Sequence, residues 1–362
     1  MSSRLSAAST HPATDWVASL SPWPEEFGLD RMRALLERLA HPERRYPAVH
    51  VVGTNGKSTA TRTIAALLQA EGRRAGAYIS PHVSGWAERI WVEGKEADFE
   101  RAVARIRPDA ETVGATQFEA LTAAALVEFA HRGVDVAVVE AGLGGRLDAT
   151  NVVDAEVVLL TNVSLEHTEV LGDTMQEIAK EKLAVAHAAR VVVLPDNQYA
   201  EFVPNTADIV TGEARKAAEM LLGRSIDVRP EVALAGRLER RGRELRDGAH
   251  TPAGAAWLCE QIDEPVDVIV ASVLADKDVD GMLLHLASLS SRFVATRSAN
   301  PRALPAHELA ERARAHFASV ETEPDPLRAL DRARRTSEGL VLVTGSLYLL
   351  ANLAEAEEHS VR

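Results

Sequence analysis

Residues 53–59, GTNGKST, combine small residues, a lysine and hydroxyl side chains in the manner of a phosphate-binding loop. The stretch stands between an apolar run and a helical pattern, so its backbone N–H groups would face an anion at a helix N-terminus. The longer template G-x-x-x-x-G-K-[ST] fails, because Val51 occupies the position of its first glycine. We expect Lys57 to hold terminal phosphates and a hydroxyl of Ser58 or Thr59 to reach Mg²⁺.

A plain strand–turn–helix with an incidental lysine would satisfy the same pattern. Lysine usage favours phosphate binding, because only six of the 40 basic residues are lysines and one of them is Lys57. An ammonium group acts on phosphate as a compact point charge, which the planar guanidinium of arginine does not.

Three more polar stretches follow strand-like runs. They contain Ser80 and His82 (YISPH), Glu140 (VVEAG) and His167 (SLEHTEV). Ligands of open α/β sheets collect at the carboxyl ends of strands, and a hydroxyl, a carboxylate and an imidazole are reasonable Mg²⁺ ligands. Taken singly, His167 could be a hydrogen-bonded core histidine and Glu140 could cap a loop.

These residues require a scaffold of alternating strands and helices. Apolar runs begin at residues 48, 75, 134, 155 and 189, and helical patterns predict helices over residues 98–107 and 118–131. Asp173 and Gln176 resemble a capping box that opens a helix reaching residue 187. The alternation predicts an α/β fold, with a P-loop NTPase-like, mostly parallel sheet covered on both faces.

The pattern becomes irregular between residues 195 and 234 and then restarts with further strand-like runs. We therefore expect a boundary near residues 226–230, with domains over 1–228 and 229–362. The second would be a smaller Rossmann-like α/β domain.

Composition limits the function classes. Acidic residues exceed basic ones, giving a net charge of −13, so we expect no nucleic-acid partner. No apolar run is long enough to span a bilayer, and the N-terminal stretch MSSRLSAASTHPATDW has no apolar core of a signal peptide. A single cysteine excludes an intramolecular disulfide. We expect a cytoplasmic protein without a membrane partner.

Taken together, the motifs resemble one enzyme family. The stretches GTNGKST, SPHVSGWAERI, TQFEALTAAAL, VVEAGLGGRLDATNVV, EHTEVLG, EIAKEK, DGAHTPAG, LADKDVDGML and VTGSLYLL are similar, in this order, to those of folylpolyglutamate synthase/dihydrofolate synthase. That family belongs to the Mur ligase superfamily. The resemblance implies a Mur ligase architecture and an ATP-dependent ligase joining L-glutamate to dihydropteroate or a reduced folate through an acyl phosphate.

The resemblance also implies roles for particular residues. The ATP-binding set would be Gly53, Thr54, Asn55, Gly56, Lys57, Ser58 and Thr59, with Arg237, Asp247 and His250 from the second domain. Two Mg²⁺ ions would be held by Thr59, Ser80, Glu140, His167 and Lys182, the last as a carbamate. The substrate-binding set would be Ser80, His82, Thr116, Gln117, Phe118, Glu119, Leu147, Asp148 and Ala149. Catalysis would depend on Lys57, Glu140, His167 and Lys182, in a monomer.

The chain departs from the family pattern at several places. Ser58 and Glu166 stand where the folate branch has glycine and aspartate, Thr251 replaces an asparagine, and a Gln-x-x-Asn motif is absent. Two alternatives therefore remain open. One is a Mur-type ligase acting on a different acid, and the other is a degenerate paralogue that binds nucleotide or pterin without ligating them.

Overall fold

The computed structural model describes residues 12–361, and side chains up to residue 357. Residues 1–11, which include most of the N-terminal stretch considered above, lie outside the described residues. The described chain separates into two compact units, one of residues 12–81 and 86–232 and the other of residues 82–85 and 233–361. Within the described chain, no helix is long and apolar enough to cross a membrane.

The first unit contains eight strands, β1 Ala48–Val52, β2 Ala75–Tyr78, β3 Ile90–Val92, β4 Lys95–Glu96, β5 Val136–Glu140, β6 Val157–Leu160, β7 Val191–Leu194 and β8 Asp208–Thr211. They form one sheet in the order β4-β3-β2-β5-β1-β6-β7-β8. The strands β2, β5, β1, β6, β7 and β8 pair in parallel, whereas the β2–β3 and β3–β4 pairs are antiparallel.

Helices cover both faces of this sheet. Their bounds are α1 Pro12–Ser19, α2 Asp30–Arg38, α3 Lys57–Ala70, α4 Phe99–Val113, α5 Gln117–Arg132, α6 Thr168–Leu171, α7 Met175–Leu183 and α8 Ala214–Leu222. Along β1, Ala48 and Val52 enter one core while Val49 and Val51 enter the other, since successive side chains of a strand point to opposite faces. The predicted parallel sheet with two covered faces is confirmed.

The second unit carries a six-stranded sheet in the order β13-β12-β11-β14-β10-β9, in which only β9 is antiparallel. Its strands are β9 Glu239–Arg241, β10 Glu244–Arg246, β11 Val266–Ala271, β12 Arg292–Ala295, β13 Ser319–Thr322 and β14 Leu340–Thr344. Its helices are α9 Pro252–Glu260, α10 Val279–Leu286, α11 Ala306–Ala313, α12 Pro326–Thr336 and α13 Leu347–Val361. Alternate residues of β11 again enter two separate cores.

Two predicted helices were wrong in their bounds. Helix α4 does not stop near residue 107 but continues through Pro108 to Val113. Pro108 and Ala104 are both exposed, so water can reach the Ala104 carbonyl that lacks an N–H partner, while Ile106 and Ala110 stay in the core.

The helix predicted to open at Asp173 and reach residue 187 also differs. Its capping box is formed by Thr174 and Glu177, one residue later than predicted. The α-helix ends at Leu183, where the chain tightens into a 3-10 turn over Ala184–Ala188. The shift places Lys182 in the last turn of α7.

Candidate active site

The candidate phosphate loop, residues 53–59, runs from the end of β1 into the first turn of α3 at the carboxyl end of the sheet. Gly53 has φ +143°, and a Cβ there would lie 1.9 Å from Thr161 Oγ1, so only glycine fits. The segment after β6 supports the loop: Asn162 Oδ1 accepts from Asn55 N at 2.9 Å, and Thr161 Oγ1 donates to Asn55 O at 2.7 Å. Thr54 N donates to Asn162 O at 3.0 Å.

Two lysines meet at the carbonyl of Gly53. Lys57 Nζ donates to Gly53 O at 3.0 Å and to Thr54 O at 3.1 Å. Lys182 Nζ, which reaches the loop from α7, donates to Gly53 O at 2.9 Å and is buried. The structure therefore brings both predicted lysines to one point beside the loop.

Lys182 forms an ion pair with Glu166, whose Oε1 lies 2.7 Å from Nζ. Burial lowers the pKa of Lys182, and nearby Lys57 lowers it further, which outweighs the attraction of Glu166. Burial raises the pKa of Glu166, but Lys182 and Lys57 lower it by more, so this carboxylate stays ionised. Glu166 therefore places a negative charge beside Lys182 and Lys57.

Glu140 ends β5 and is almost completely buried. Its Oε1 accepts from Ser58 Oγ at 3.1 Å and its Oε2 accepts from Ser80 N at 3.0 Å. Thr59 is exposed in the first turn of α3, so Ser58 is the hydroxyl that faces this carboxylate. Three predicted residues thus lie together: Ser58, Ser80 and Glu140.

His167 lies on the exposed segment after β6, with φ +45° at the N-terminus of α6. It is near enough to Glu166 to lower the pKa of that carboxyl group. Among residues 12–357, no group of three or more His, Cys, Asp or Glu side chains has the arrangement of a metal site.

Residues 116–119 begin α5. Thr116 and Glu119 form a capping box, and Arg31 Nε donates to Glu119 Oε2 at 2.7 Å. Gln117 is held by the N-terminal segment, since its side chain donates to Val17 O at 3.0 Å. The centroids of the Phe118 and Tyr78 rings are 6.1 Å apart, so this motif packs against a buried aromatic side chain.

The second glycine-rich loop, residues 142–148, follows β5. It ends with Leu147 and Asp148, and Ala149 comes directly after it. Leu147 is exposed, whereas Asp148 and Ala149 are buried. Asp148 Oδ2 accepts from Leu143 N at 2.7 Å, which ties the two ends of the loop together. Burial raises the pKa of Asp148, although hydrogen bonds from Leu143 and Thr150 oppose the shift.

The remaining predicted residues lie in the second unit. Asp247 accepts from Leu238 N at 2.9 Å and from Ala249 N at 2.8 Å, so it joins the segments that carry Arg237 and His250. Burial raises the pKa of Asp247, and Arg237 partly offsets this. His82 belongs to residues 82–85, which group with this unit, whereas Ser80 belongs to the first.

Comparison with known proteins identifies the family of this chain. Residues 51–221 match the Mur ligase middle domain, and residues 236–347 match the Mur ligase, glutamate ligase domain. The dihydrofolate synthase/folylpolyglutamate synthase of Mycobacterium tuberculosis is 30% identical, with 91% of this chain and 87% of the relative covered. The chain belongs to the dihydrofolate synthase/folylpolyglutamate synthase family. The predicted family is confirmed.

Solved structures of this family have the same fold. Escherichia coli FolC in complex with DHPP and ADP matches with a TM-score of 0.85 and 25% identity, over 97% of this chain and 98% of that one. The bifunctional enzyme from Yersinia pestis, complexed with AMPPNP and Mn ion, matches with a TM-score of 0.83 and 27% identity, over 96% and 98%.

Within the dihydrofolate synthase/folylpolyglutamate synthase family, this chain shows contacts that sequence reasoning missed. Thr161 and Asn162 hold the phosphate loop, Arg31 holds Glu119, and Glu166 holds Lys182. The pairing of β6 beside β1 explains the contacts of Thr161 and Asn162, because it places residue 161 next to residue 53. The position of Asn162 directly after an apolar run was the one available signal.

Proposed function

We propose that the chain is an ATP-dependent amide ligase that adds L-glutamate to dihydropteroate, to a reduced folate, or to both. The observation that carries this proposal is the convergence of Lys57 and Lys182 on the carbonyl of Gly53, together with the contact of the buried Glu140 carboxylate with Ser58 of the same loop. An ammonium group at a phosphate loop and a buried carboxylate that can hold a metal ion suit the transfer of a phosphoryl group.

In the proposed reaction, the γ-phosphoryl group of ATP moves to the carboxylate of the folate acid, which gives an acyl phosphate and ADP. The amine of glutamate then attacks the acyl carbon, phosphate leaves, and the amine loses a proton. Lys57 and the N–H groups of residues 53–59 hold and orient the phosphates. Their positive charge favours the transition state more than it favours the substrate.

The donor set also fits divalent metal. We propose that Glu140, Ser80, His167 and a hydroxyl of Ser58 or Thr59 hold one Mg²⁺, and that Lys182 as a carbamate contributes to a second. Carbamylation joins CO₂ to the neutral amine and releases a proton, and burial favours that neutral form by lowering the pKa of Lys182. Bound Mg²⁺ would neutralise phosphate charge.

The substrate assignments are proposals of the same kind. We assign the folate acid to Ser80, His82, Thr116, Gln117, Phe118, Glu119, Leu147, Asp148 and Ala149, and further ATP contacts to Arg237, Asp247 and His250. Asp247 supports this role because it braces the segments on either side of it. We propose domains over 1–228 and 229–362, and a cytoplasmic monomer that binds no nucleic acid, as its net charge of −13 favours.

The test is ADP release by the purified protein with Mg-ATP, L-glutamate and either dihydropteroate or tetrahydrofolate. We expect ADP formation that depends on the folate acid. Lys57→Ala should abolish it, because it removes the ammonium group that holds the phosphates in the proposed reaction. Lys95→Ala is the matched control, since Lys95 is exposed on β4, and it should leave turnover unchanged.

Two results would contradict the proposal. ADP release that depends only on a non-folate acid would indicate a different Mur-type ligase. Tight ATP binding without any turnover would indicate the degenerate paralogue. Activity that survives Lys57→Ala would contradict the assignment of residues 53–59 as the phosphate loop, but it would not contradict the family membership.

A further inference from the structure

His50 is a polar residue in the middle of an apolar strand. It lies in β1, between Val49 and Val51, and is completely buried. Its side chain points to the same face of the sheet as those of Ala48 and Val52. A buried polar side chain is stabilised only when it finds a hydrogen-bond partner, so its contacts should explain its place in this strand.

His50 begins a chain of hydrogen bonds that ends at Asp148. His50 Nε2 lies 2.8 Å from Thr150 Oγ1, and Thr150 Oγ1 donates to Asp148 Oδ1 at 2.5 Å. Thr150 N also donates to Asp148 Oδ1 at 3.0 Å, and Leu143 N donates to Oδ2 at 2.7 Å. One strand of the central sheet is thus linked to the end of the second glycine-rich loop.

The hydrogens of this chain can be placed by counting donors. Backbone N–H groups already donate to both oxygens of Asp148, so the carboxylate accepts. The Thr150 hydroxyl has one hydrogen, which it gives to Asp148, so His50 must donate from Nε2. His50 Nδ1 has no hydrogen-bond partner in the described structure, as suits an unprotonated nitrogen better than a buried N–H. Burial lowers the pKa of His50 to about 3, so the ring is neutral.

The loop that ends at Asp148 packs against two residues of the proposed site. A Cβ on Gly145 would lie 2.5 Å from Lys182 O, and a Cβ on Gly142 would lie 2.4 Å from the Phe118 ring. Because Thr150 and His50 are both buried, the carboxylate has little freedom to move away. These hydrogen bonds therefore fix a carboxylate whose loop packs against both Lys182 and Phe118.

We propose that His50 is a positioning residue, which acts through Thr150 to hold the Asp148 carboxylate and the second glycine-rich loop in the geometry that binds the folate acid. This inference rests on the proposed function, since the acid is the one assigned above. His50 touches neither substrate nor reacting atoms, and its effect is on recognition of the acid rather than on phosphoryl transfer.

The test compares His50→Leu, which keeps the volume and removes the donor, with His50→Gln, whose amide N–H can replace Nε2–H. We expect His50→Leu to raise KM for the folate acid about tenfold, because a buried acceptor loses its partner. The values of kcat and of KM for ATP should stay within about twofold. His50→Gln should restore the wild-type KM.

Thr150→Val and Thr150→Ser form a second pair, which serves if His50→Leu does not fold. Thr150→Val should raise the same KM, and Thr150→Ser should not. The double variant His50→Leu/Thr150→Val should be no worse than either single one, since both break one chain. Equal effects on the KM values for the folate acid, ATP and glutamate would overturn the positioning role. So would a lowered unfolding midpoint with an unchanged KM for the folate acid.

Amide hydrogen exchange separates this inference from the proposed function. In His50→Leu, the N–H groups of Leu143 and Thr150 should exchange about tenfold faster than in wild type, because the carboxylate that they contact is released. This measurement requires no substrate, so it decides the role of His50 even if no folate acid is turned over. Unchanged exchange at both amides would refute the inference, whatever the outcome of the ligase assay.

Discussion

Ser58 is the residue at which the phosphate loop departs from the folate pattern, and the structure gives it a definite contact. Its hydroxyl donates to Glu140 Oε1, while the other carboxylate oxygen accepts from Ser80 N. The two oxygens are therefore oriented by neighbours from α3 and from the segment that follows β2. If Glu140 holds Mg²⁺ as proposed above, Ser58 affects the metal affinity by orienting that carboxylate.

We predict that Ser58→Ala raises the Mg²⁺ concentration for half-maximal ADP release about tenfold, because Glu140 loses one of its orienting hydrogen bonds. The unfolding midpoint should fall slightly as well, because a buried carboxylate loses a donor even though alanine suits the first turn of α3. Turnover against Mg²⁺ concentration gives the measurement. Thr63→Ala, a half-buried position on the same helix, is the control and should follow the wild-type curve.

At the scale of elements, the second glycine-rich loop packs directly against the end of α7. A Cβ on Gly145 would lie 2.5 Å from Lys182 O and 2.7 Å from Glu181 O, and Arg146 N donates to Glu181 O at 3.1 Å. The contact is between two backbones, which have little room to separate. The loop and Lys182 are therefore positioned together.

Gly145→Ala should destabilise the protein by about 1–3 kcal/mol, since the added methyl group forces the loop away from α7. It should also lower turnover, because Lys182 and Asp148 lie at the two sides of this contact. Urea unfolding and ADP release measure the two effects. Gly28→Ala is the control, because a Cβ at Gly28 has no neighbour within 4 Å. Equal stability of the two variants would refute the packing argument.

The elements also show what the sequence allowed to be predicted. Buried parallel strands such as β1, β5 and β6 are continuous apolar runs, and the polar residues at their ends stood out for that reason. The exposed strand β8 and the short pair β3 and β4 lack such a run, so they were missed. Their existence depends on pairing with neighbours that only the folded chain provides.

In the candidate site too, local motifs could be recognised from the sequence, whereas contacts between distant residues could not. Lys57, Glu140 and Lys182 could be named from motifs, and the structure brings them to the same end of one sheet. The contacts of Asn162 with Asn55 and of Arg31 with Glu119 join residues far apart in sequence. No local pattern encodes such pairs, because they result from strand order and helix packing rather than from propensity.

At the scale of the whole molecule, the chain consists of two units that each have their own sheet and cores, so the stability of each unit is a property of its own contacts. Carboxylates that are buried or hydrogen-bonded contribute to the stability of both units. Those with lowered pKa values are Glu166, Glu177, Glu219, Glu264, Asp267 and Glu357. Asp148 and Asp247 have raised pKa values and act in the opposite direction.

Asp267 shows the sign of this effect. Its carboxylate accepts from Ser337 Oγ at 2.8 Å, from Arg292 Nη1 at 2.7 Å and from two backbone N–H groups, and these contacts lower its pKa below the usual 3.8. A carboxylate with a lowered pKa in the folded state contributes stability above its unfolded pKa. That stability is lost as the pH falls through the folded value.

We therefore predict that the unfolding free energy decreases as the pH falls below the usual carboxyl values of 3.8 and 4.5, because the lowered groups outnumber the raised ones. Asp267→Asn should be less stable than wild type at pH 7, and the gap should narrow as Asp267 becomes protonated. Urea unfolding at a series of pH values measures both. Asp263→Asn, an exposed carboxylate before β11, should show no such gap. A gap for Asp267→Asn that stays constant with pH would show that its four donors do not favour the charged form.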